Sequence, residues 1–443
     1  LPAHELRPGY LRADPRDRAA IERVIADASN LVGTFDKPRF IRFEESLCAH
    51  SRSNITGCTR CLDLCPTGAI TPNGNAVSID PYVCAGCGSC ASACPTGAAS
   101  YALPDSDALM RRLRTLLQTY RTTGGEHATV LFHDGDHGEP LIDALARFGD
   151  GLPANVLPVR VNEITQLGPE TLTAVFAYGG TGVALLMRAQ PRHETAGLRR
   201  AADMSNIIVA ALGFGSEIIR ILETDDPDQL RLMLDAMPAG VISPNPANFI
   251  PRGAKRGVLE TTLRELHLAA PSPVDVVPLA SGAPFGSVEL NVESCTLCHA
   301  CVTACPTQAL SDNPHRAMLR FTESLCVQCG LCEATCPEDA IALKPQIDFR
   351  AWSAPQRVLK EEEPFHCIAC GTPFGTRSSI ERVLATREPD VMPAFQYDIQ
   401  ADDGSGSGWW TTLTLERSAA PRAPDAGTSS HADGARRQDA RSA

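Results

Sequence analysis

The sequence predicts an α+β protein in which two cysteine-rich modules, each a pseudo-symmetric pair of loop, short helix and hairpin, flank a small α/β domain with a parallel sheet. Three observations predict it: 18 cysteines fall in tight groups, with none between Cys94 and Cys295; a unit of strand, cysteine run and hairpin recurs; and strand and helix signals alternate in the interval. With 443 residues, 43% of them hydrophobic, the chain has material for roughly two to four domains. Its formal charge of −12 argues against a nucleic-acid surface, which needs clustered Lys and Arg. The longest apolar stretch, from Ile207, is cut by Glu217 and falls short of the ~20 residues of a membrane span. No basic and apolar export segment stands at Leu1, so a cytoplasmic location is the expectation.

Along the chain, residues 1–37 read as a helical segment, with Ile21, Val24, Ile25, Ala28 and Leu31 spaced for one face of a helix over Arg18–Val32. The first cysteine module spans 38–103. Residues 104–126 form a helical linker: acidic residues from Asp105 to Asp107 open it, Leu109, Leu113, Leu116, Leu117 and Tyr120 share a face, and Gly124-Gly125 ends it. Residues 127–283 read as an α/β domain, in which 127 to about 240 alternate strands (ATVLFH, NVLPVRV, GVALLM, EIIRILE) with helices (PLIDALARFG, near Pro169–Val175, His193–Ala211, Pro227–Met237), the pattern of a small parallel sheet. The second cysteine module covers 284–346, a tail with a C-x2-C knuckle 347–399, and a polar stretch, 400–443, reads as disordered apart from WWTTLTLE, which could dock on a partner.

The cysteines decide the chemistry. Cys84, Cys87, Cys90 and Cys94 give C-x2-C-x2-C-x3-C followed by Pro95; Cys295, Cys298, Cys301, Cys305 and Pro306 repeat it, as do Cys326, Cys329, Cys332, Cys336 and Pro337. This is the bacterial run for [4Fe-4S] clusters, in which the fourth cysteine of a run serves the other cluster of its pair. Structural zinc pairs two C-x2-C knuckles and needs no third cysteine in the same loop. Cys58, Cys61, Cys65 and Pro66 form an incomplete copy. Its missing first member is found by aligning the eight residues that end at each first cysteine: IRFEESLC at Cys48, VSIDPYVC at Cys84, VELNVESC at Cys295 and LRFTESLC at Cys326. All are strand-like, and the first and last share R-F-x-E-S-L-C. Cys48 is therefore a ligand, and Ala49–Gly57 an expanded loop in place of the usual two-residue gap. Hairpin signals follow, around Asn73-Gly74 and Asp312-Asn313.

With these motifs, residues 38–103 and 284–346 each resemble the bacterial 2[4Fe-4S] ferredoxin family, a resemblance that implies a polyferredoxin with four [4Fe-4S] clusters. The resemblance implies crossed ligation in four sets: Cys48, Cys58, Cys61 and Cys94; Cys84, Cys87, Cys90 and Cys65; Cys295, Cys298, Cys301 and Cys336; Cys326, Cys329, Cys332 and Cys305. The middle region resembles, over about 110 residues, the δ-subunit domain of the methyl-viologen-reducing hydrogenases that serve heterodisulfide reductase. That family's cysteines are missing from FHDGDHGE, VRVNE and AYGGTGVALL, so its [2Fe-2S] centre is not expected and the domain reads as a scaffold or docking element.

Other candidates carry less. His133, Asp134, Asp136, His137 and Glu139 read as a polar strand-to-helix connection; Gly179, Gly180 and Gly182 lack the spacing of a dinucleotide fingerprint. His50 and His299 read as solvent-facing loop residues, and Cys367 and Cys370 as the remnant of a zinc ribbon. No nucleophile with a base and no phosphate loop is evident. The expected protein is a non-catalytic electron-transfer subunit of an oxidoreductase complex, joined to redox partners through their basic docking surfaces. By family resemblance the partner is a formate dehydrogenase, another molybdenum oxidoreductase or a hydrogenase. A flavin- or nucleotide-dependent oxidoreductase and a structural scaffold subunit are the alternatives.

Overall fold

The structure, a computed structural model, describes residues 11–34, 36–366, 371–385, 395–400 and 412–417. They divide into two compact units, one reaching Pro314 and resuming over Met318–Glu361, the other taking His315–Ala317 and the residues from Glu362 onward.

Within the first unit, a four-stranded parallel sheet lies in the middle of the chain. Its strands Thr129–His133, Val156–Arg160, Gly182–Met187 and Ile219–Glu223 lie with the first between the second and third and the fourth outside the third. Both faces are covered, as a parallel sheet requires. Val130, Phe132, Val183 and Leu185 pack under Leu113 and Leu117 of the helix Ser106–Thr122, Phe176 of Pro169–Ala177 and Leu263 of Lys255–Leu268. The alternate residues Leu131, Ala184 and Leu186 meet Leu141 and Leu145 of Gly138–Phe148 and Leu230 and Leu234 of Pro227–Asp235. Each fully buried leucine contributes on the order of 2 kcal/mol through the apolar surface it withdraws from water. The linker helix starts where its acidic run predicts, the Asp105 side chain accepting from Ala108 N at 2.9 Å. Its Leu109, Leu113 and Leu117 are buried.

Before and after this sheet along the chain come two modules of one design. In the first, Ile41–Phe43 pairs antiparallel with Ala99–Tyr101, and between them lie the short helices Arg60–Leu64 and Ser89–Ala93 and the hairpin Ile70–Asn73 with Ala76–Ile79, turning at Gly74 with φ +60°. In the second, Gly286–Leu290 pairs with Ile341–Asp348 around the short helices Ala300–Ala304 and Leu331–Thr335. Ile341–Asp348 runs on to pair with Val276–Pro278 as well. The helix Arg18–Ser29 forms, capped by Asp17, but among the described residues nothing buries its apolar stripe: none of its residues is buried and Ile25 is 62% exposed. No described helix is long and apolar enough to cross a membrane.

In the second unit, Pro364–His366 pairs with Pro373–Thr376 ahead of the helix Arg377–Ala385. Thr412–Arg417, which overlaps the WWTTLTLE segment set apart from the polar runs around it, pairs antiparallel with Phe395–Gln400. Its Thr-Leu alternation, the period of a strand, accounts for this. Cys367 and Cys370 lie outside the described residues.

Candidate metal centres

Each first cysteine is set by the turn that precedes it. In ESLC the strand gives way to one turn of 3-10 helix, Glu45–Leu47 or Glu323–Leu325, and the cysteine N–H donates back to the glutamate carbonyl, at 3.0 Å from Cys48 to Glu45 and at 3.0 Å from Cys326 to Glu323. The other two use Asx turns: Asp80 Oδ1 accepts from Tyr82 N at 2.8 Å, Asn291 Oδ1 from Glu293 N at 3.1 Å, and Cys84 and Cys295 follow. After the second cysteine the backbone turns left-handed, at Gly88, His299 and Gly330 (φ +80°, +61° and +82°), before the short helix that carries the third. Gly88 is needed on a second count, since a Cβ there would stand 2.6 Å from Gln166 Cβ.

The expanded loop closes on itself. Ser51–Arg52 and Ile55–Thr56 pair as a hairpin whose turn residues Ser53 and Asn54 both have positive φ, the type that matches strand twist. At its base Cys58 N donates to Ala49 O at 3.0 Å and Gly57 N to His50 O at 2.7 Å. The insertion therefore leaves and returns at one place, and Cys48 stands beside Cys58 despite the separation in sequence. His50 is not at the surface as expected: it is 6% exposed, with Nδ1 3.1 Å from Cys58 O, because the hairpin folds over it. His299 is half-buried on the rim of a cavity.

Three cavities of nearly one size are each rimmed by four thiols. Cys295, Cys298, Cys301 and Cys336 line one, Cys65, Cys84, Cys87 and Cys90 another, and Cys305, Cys326, Cys329 and Cys332 the third, each of about 20 Å³. In each, three thiols come from one run and the fourth from the run paired with it. Cys48, Cys58, Cys61 and Cys94 form the remaining group: burial, then Cys58, Cys94 and Cys48 in turn, push the Cys61 thiol up to about 12. Burial first and neighbouring cysteines next also push Cys301 to about 12 and raise Cys90 and Cys332 further. Buried thiolates crowded in fours repel one another, so the arrangement calls for a cationic occupant among them. Among the described residues no three His, Cys, Asp or Glu side chains converge as ligands of a single ion. Four thiols around a void suit a cage of several metals, and the residues fit an iron-sulfur cluster.

Sequence reasoning missed the groups that tune and fix these sites. Two places past the closing cysteine a threonine hydroxyl lies 3.7 Å from Cys65 Sγ, 3.6 Å from Cys94 Sγ and 3.7 Å from Cys305 Sγ, whereas after Cys336 that place belongs to Glu338. Burial works to raise the Cys65 thiol, but the Thr67 hydroxyl and N–H groups around Ile70 outweigh it and hold the thiol below its ordinary value. Buried Lys255 donates through Nζ to the carbonyls of Ala91, Ser92 (2.8 Å) and Cys94 (3.2 Å). The next residue, Arg256, donates to Pro284 O at 2.9 Å, Ser324 O at 2.8 Å and Cys326 O at 3.0 Å. A signal was available: Lys-Arg in the first turn of a helix opposes the helix dipole, which points to another purpose for the pair.

At the C-terminal edge of the parallel sheet, His133 to Glu139 make the polar connection expected of them, Asp134 Oδ1 accepting from His137 N at 2.7 Å and Gly138 N at 2.9 Å. Beside it lies a small polar cavity of about 50 Å³ lined by Asp134, Asp136, Glu163, Arg188 and Arg192, where burial and then the two aspartates push the Glu163 carboxyl up to about 7.

A search of the curated proteins found no match. Two family models do match: residues 56–98 correspond to a 4Fe-4S dicluster domain, and residues 294–341 to a second 4Fe-4S dicluster domain. The first match begins inside the inserted hairpin and so leaves out Cys48, which the fold returns to the site. The chain thus carries ferredoxin-type 4Fe-4S domains toward both ends, and their chemistry is iron-sulfur electron transfer.

Proposed function

We propose that the protein is a relay carrying four [4Fe-4S] clusters, which passes single electrons between a catalytic redox partner and another carrier and has no catalytic step of its own. One observation carries this reading: three cavities of matching volume are each rimmed by three thiols of one run and a fourth from its partner run. The fourth group, around Cys48, repeats that composition. Ligation follows the crossed sets set out above, so all sixteen described cysteines serve as ligands. With about −2 per cluster and its thiolates, the loaded chain carries roughly −20 and favours a partner with a basic docking face. Such a partner is a molybdenum enzyme of the formate dehydrogenase kind or a hydrogenase, within a cytoplasmic complex.

Anaerobic purification with iron and acid-labile sulfide analysis tests the reading, and about sixteen of each per chain is expected, with reversible bleaching on reduction. A colourless, zinc-loaded protein would overturn it. Structured flavin bands in the visible spectrum would favour an enzyme that uses the clusters internally.

A further inference from the structure

The two modules touch, and the place where they touch is a cluster loop on each side. Gly57, at the foot of the inserted hairpin, lies so close to the helix Leu331–Thr335 that a Cβ on it would stand 2.6 Å from Leu331 Cγ. Arg60, between Cys58 and Cys61, reaches across to Gly282 O at 3.0 Å and Val327 O at 3.4 Å, the latter in the residue after Cys326. Lys255 and Arg256, side by side at the start of one helix, tie down the two modules at once, Lys255 the segment ending in Cys94 and Arg256 the segment ending in Cys326. All four features converge on the set of Cys48, Cys58, Cys61 and Cys94 and the set of Cys305, Cys326, Cys329 and Cys332.

The sequence has the same symmetry. Both facing sets begin with the ESLC turn, and both distal sets begin with an Asx turn. Each distal set carries one strongly exposed residue: Tyr82, two places before Cys84, is 82% exposed, and Cys298 is an exposed thiol.

Resting on the four-cluster reading, we propose that the inserted hairpin, Arg60 and the Lys255–Arg256 pair lock the modules so that the ligand sets form one continuous electron path in the order second, first, fourth, third. Donor and acceptor then meet the molecule at opposite ends, near Tyr82 and near Cys298. Each hop moves one electron, oxidising one set as the next is reduced, with no bond made or broken. A reduced redox protein supplies the electron at one end and an oxidised carrier takes it at the other. Arg60, Lys255 and Arg256 are positioning residues, holding loops and touching no electron carrier in transit.

Low-temperature EPR of the reduced full chain tests the order. Cys84→Ala with Cys295→Ala removes a ligand from each distal set, and Cys48→Ala with Cys326→Ala one from each facing set; either chain should keep about eight irons. Magnetic splitting and mutual relaxation enhancement are expected when the facing sets remain, and two independent signals when only the distal sets remain. Independent signals from the facing sets, or coupling only between the distal ones, would overturn the order. Should a stripped chain fail to fold, Arg60→Ala in the intact holoprotein, which removes the bonds to Gly282 and Val327, decides: the order requires the coupling across the junction to weaken at unchanged iron content, and an unaltered spectrum rejects it. Absence of iron from the wild-type chain would instead sink the relay reading itself.

Discussion

Thr67, Thr96 and Thr307 set three of the sulfur environments apart from the fourth, where Glu338 stands in the same place. Reduction adds negative charge to the sulfurs, so a hydroxyl that donates to one stabilises the reduced form and raises the potential. Thr67→Val should lower the potential of the set holding Cys65; about half a kcal/mol of differential stabilisation corresponds to roughly 20 mV for one electron. Redox titration followed by EPR measures it, and an unchanged or higher potential would mean that the hydroxyl does not donate to the sulfur. The cysteines around the cavities were legible because ligand spacing is written in adjacent residues. His50 was not: a loop histidine is buried here by a hairpin whose fold depends on contacts with the rest of the module.

At the scale of elements, the helix Lys255–Leu268 opens on two cations where the dipole disfavours them, and tertiary contacts offset that cost. Lys255 is 8% exposed and lies 3.8 Å from Glu170, whose carboxyl burial raises while the lysine lowers it. Lys255→Met leaves three carbonyls and a carboxyl without their cation, and should reduce stability by on the order of 3 kcal/mol. Denaturant unfolding of the holoprotein under anaerobic conditions reads this, and a loss below about 1 kcal/mol would mean that the clamp is energetically idle. The strands and helices of the middle sheet were readable to within a few residues, since buried strands such as Val130–Phe132 and amphipathic helices such as Ser106–Thr122 declare their periods locally. The helix Arg18–Ser29 declares one equally well, yet its stripe finds no cover among the described residues.

For the molecule as a whole, charge is legible and docking is not. A composition of −12 before any cluster is added predicts association with a basic partner that slows steeply as salt is raised through the range where the screening length drops below about 10 Å. Stopped-flow reduction by the partner at increasing ionic strength checks it, and a salt-independent rate would point to an apolar docking face. By contrast, nothing in either cysteine module says that Arg60 will reach Val327, since the contact spans 267 residues and exists only after both modules fold.

The base of the inserted hairpin has a consequence for engineering. Because Ala49 and Cys58 are already joined there by a backbone hydrogen bond, the length of chain above them is a free variable as far as the metal cage is concerned. The tip of that hairpin is a natural graft site: residues spliced between Ser53 and Asn54 would lengthen the projection while leaving the bonds at its base and the buried His50 in place.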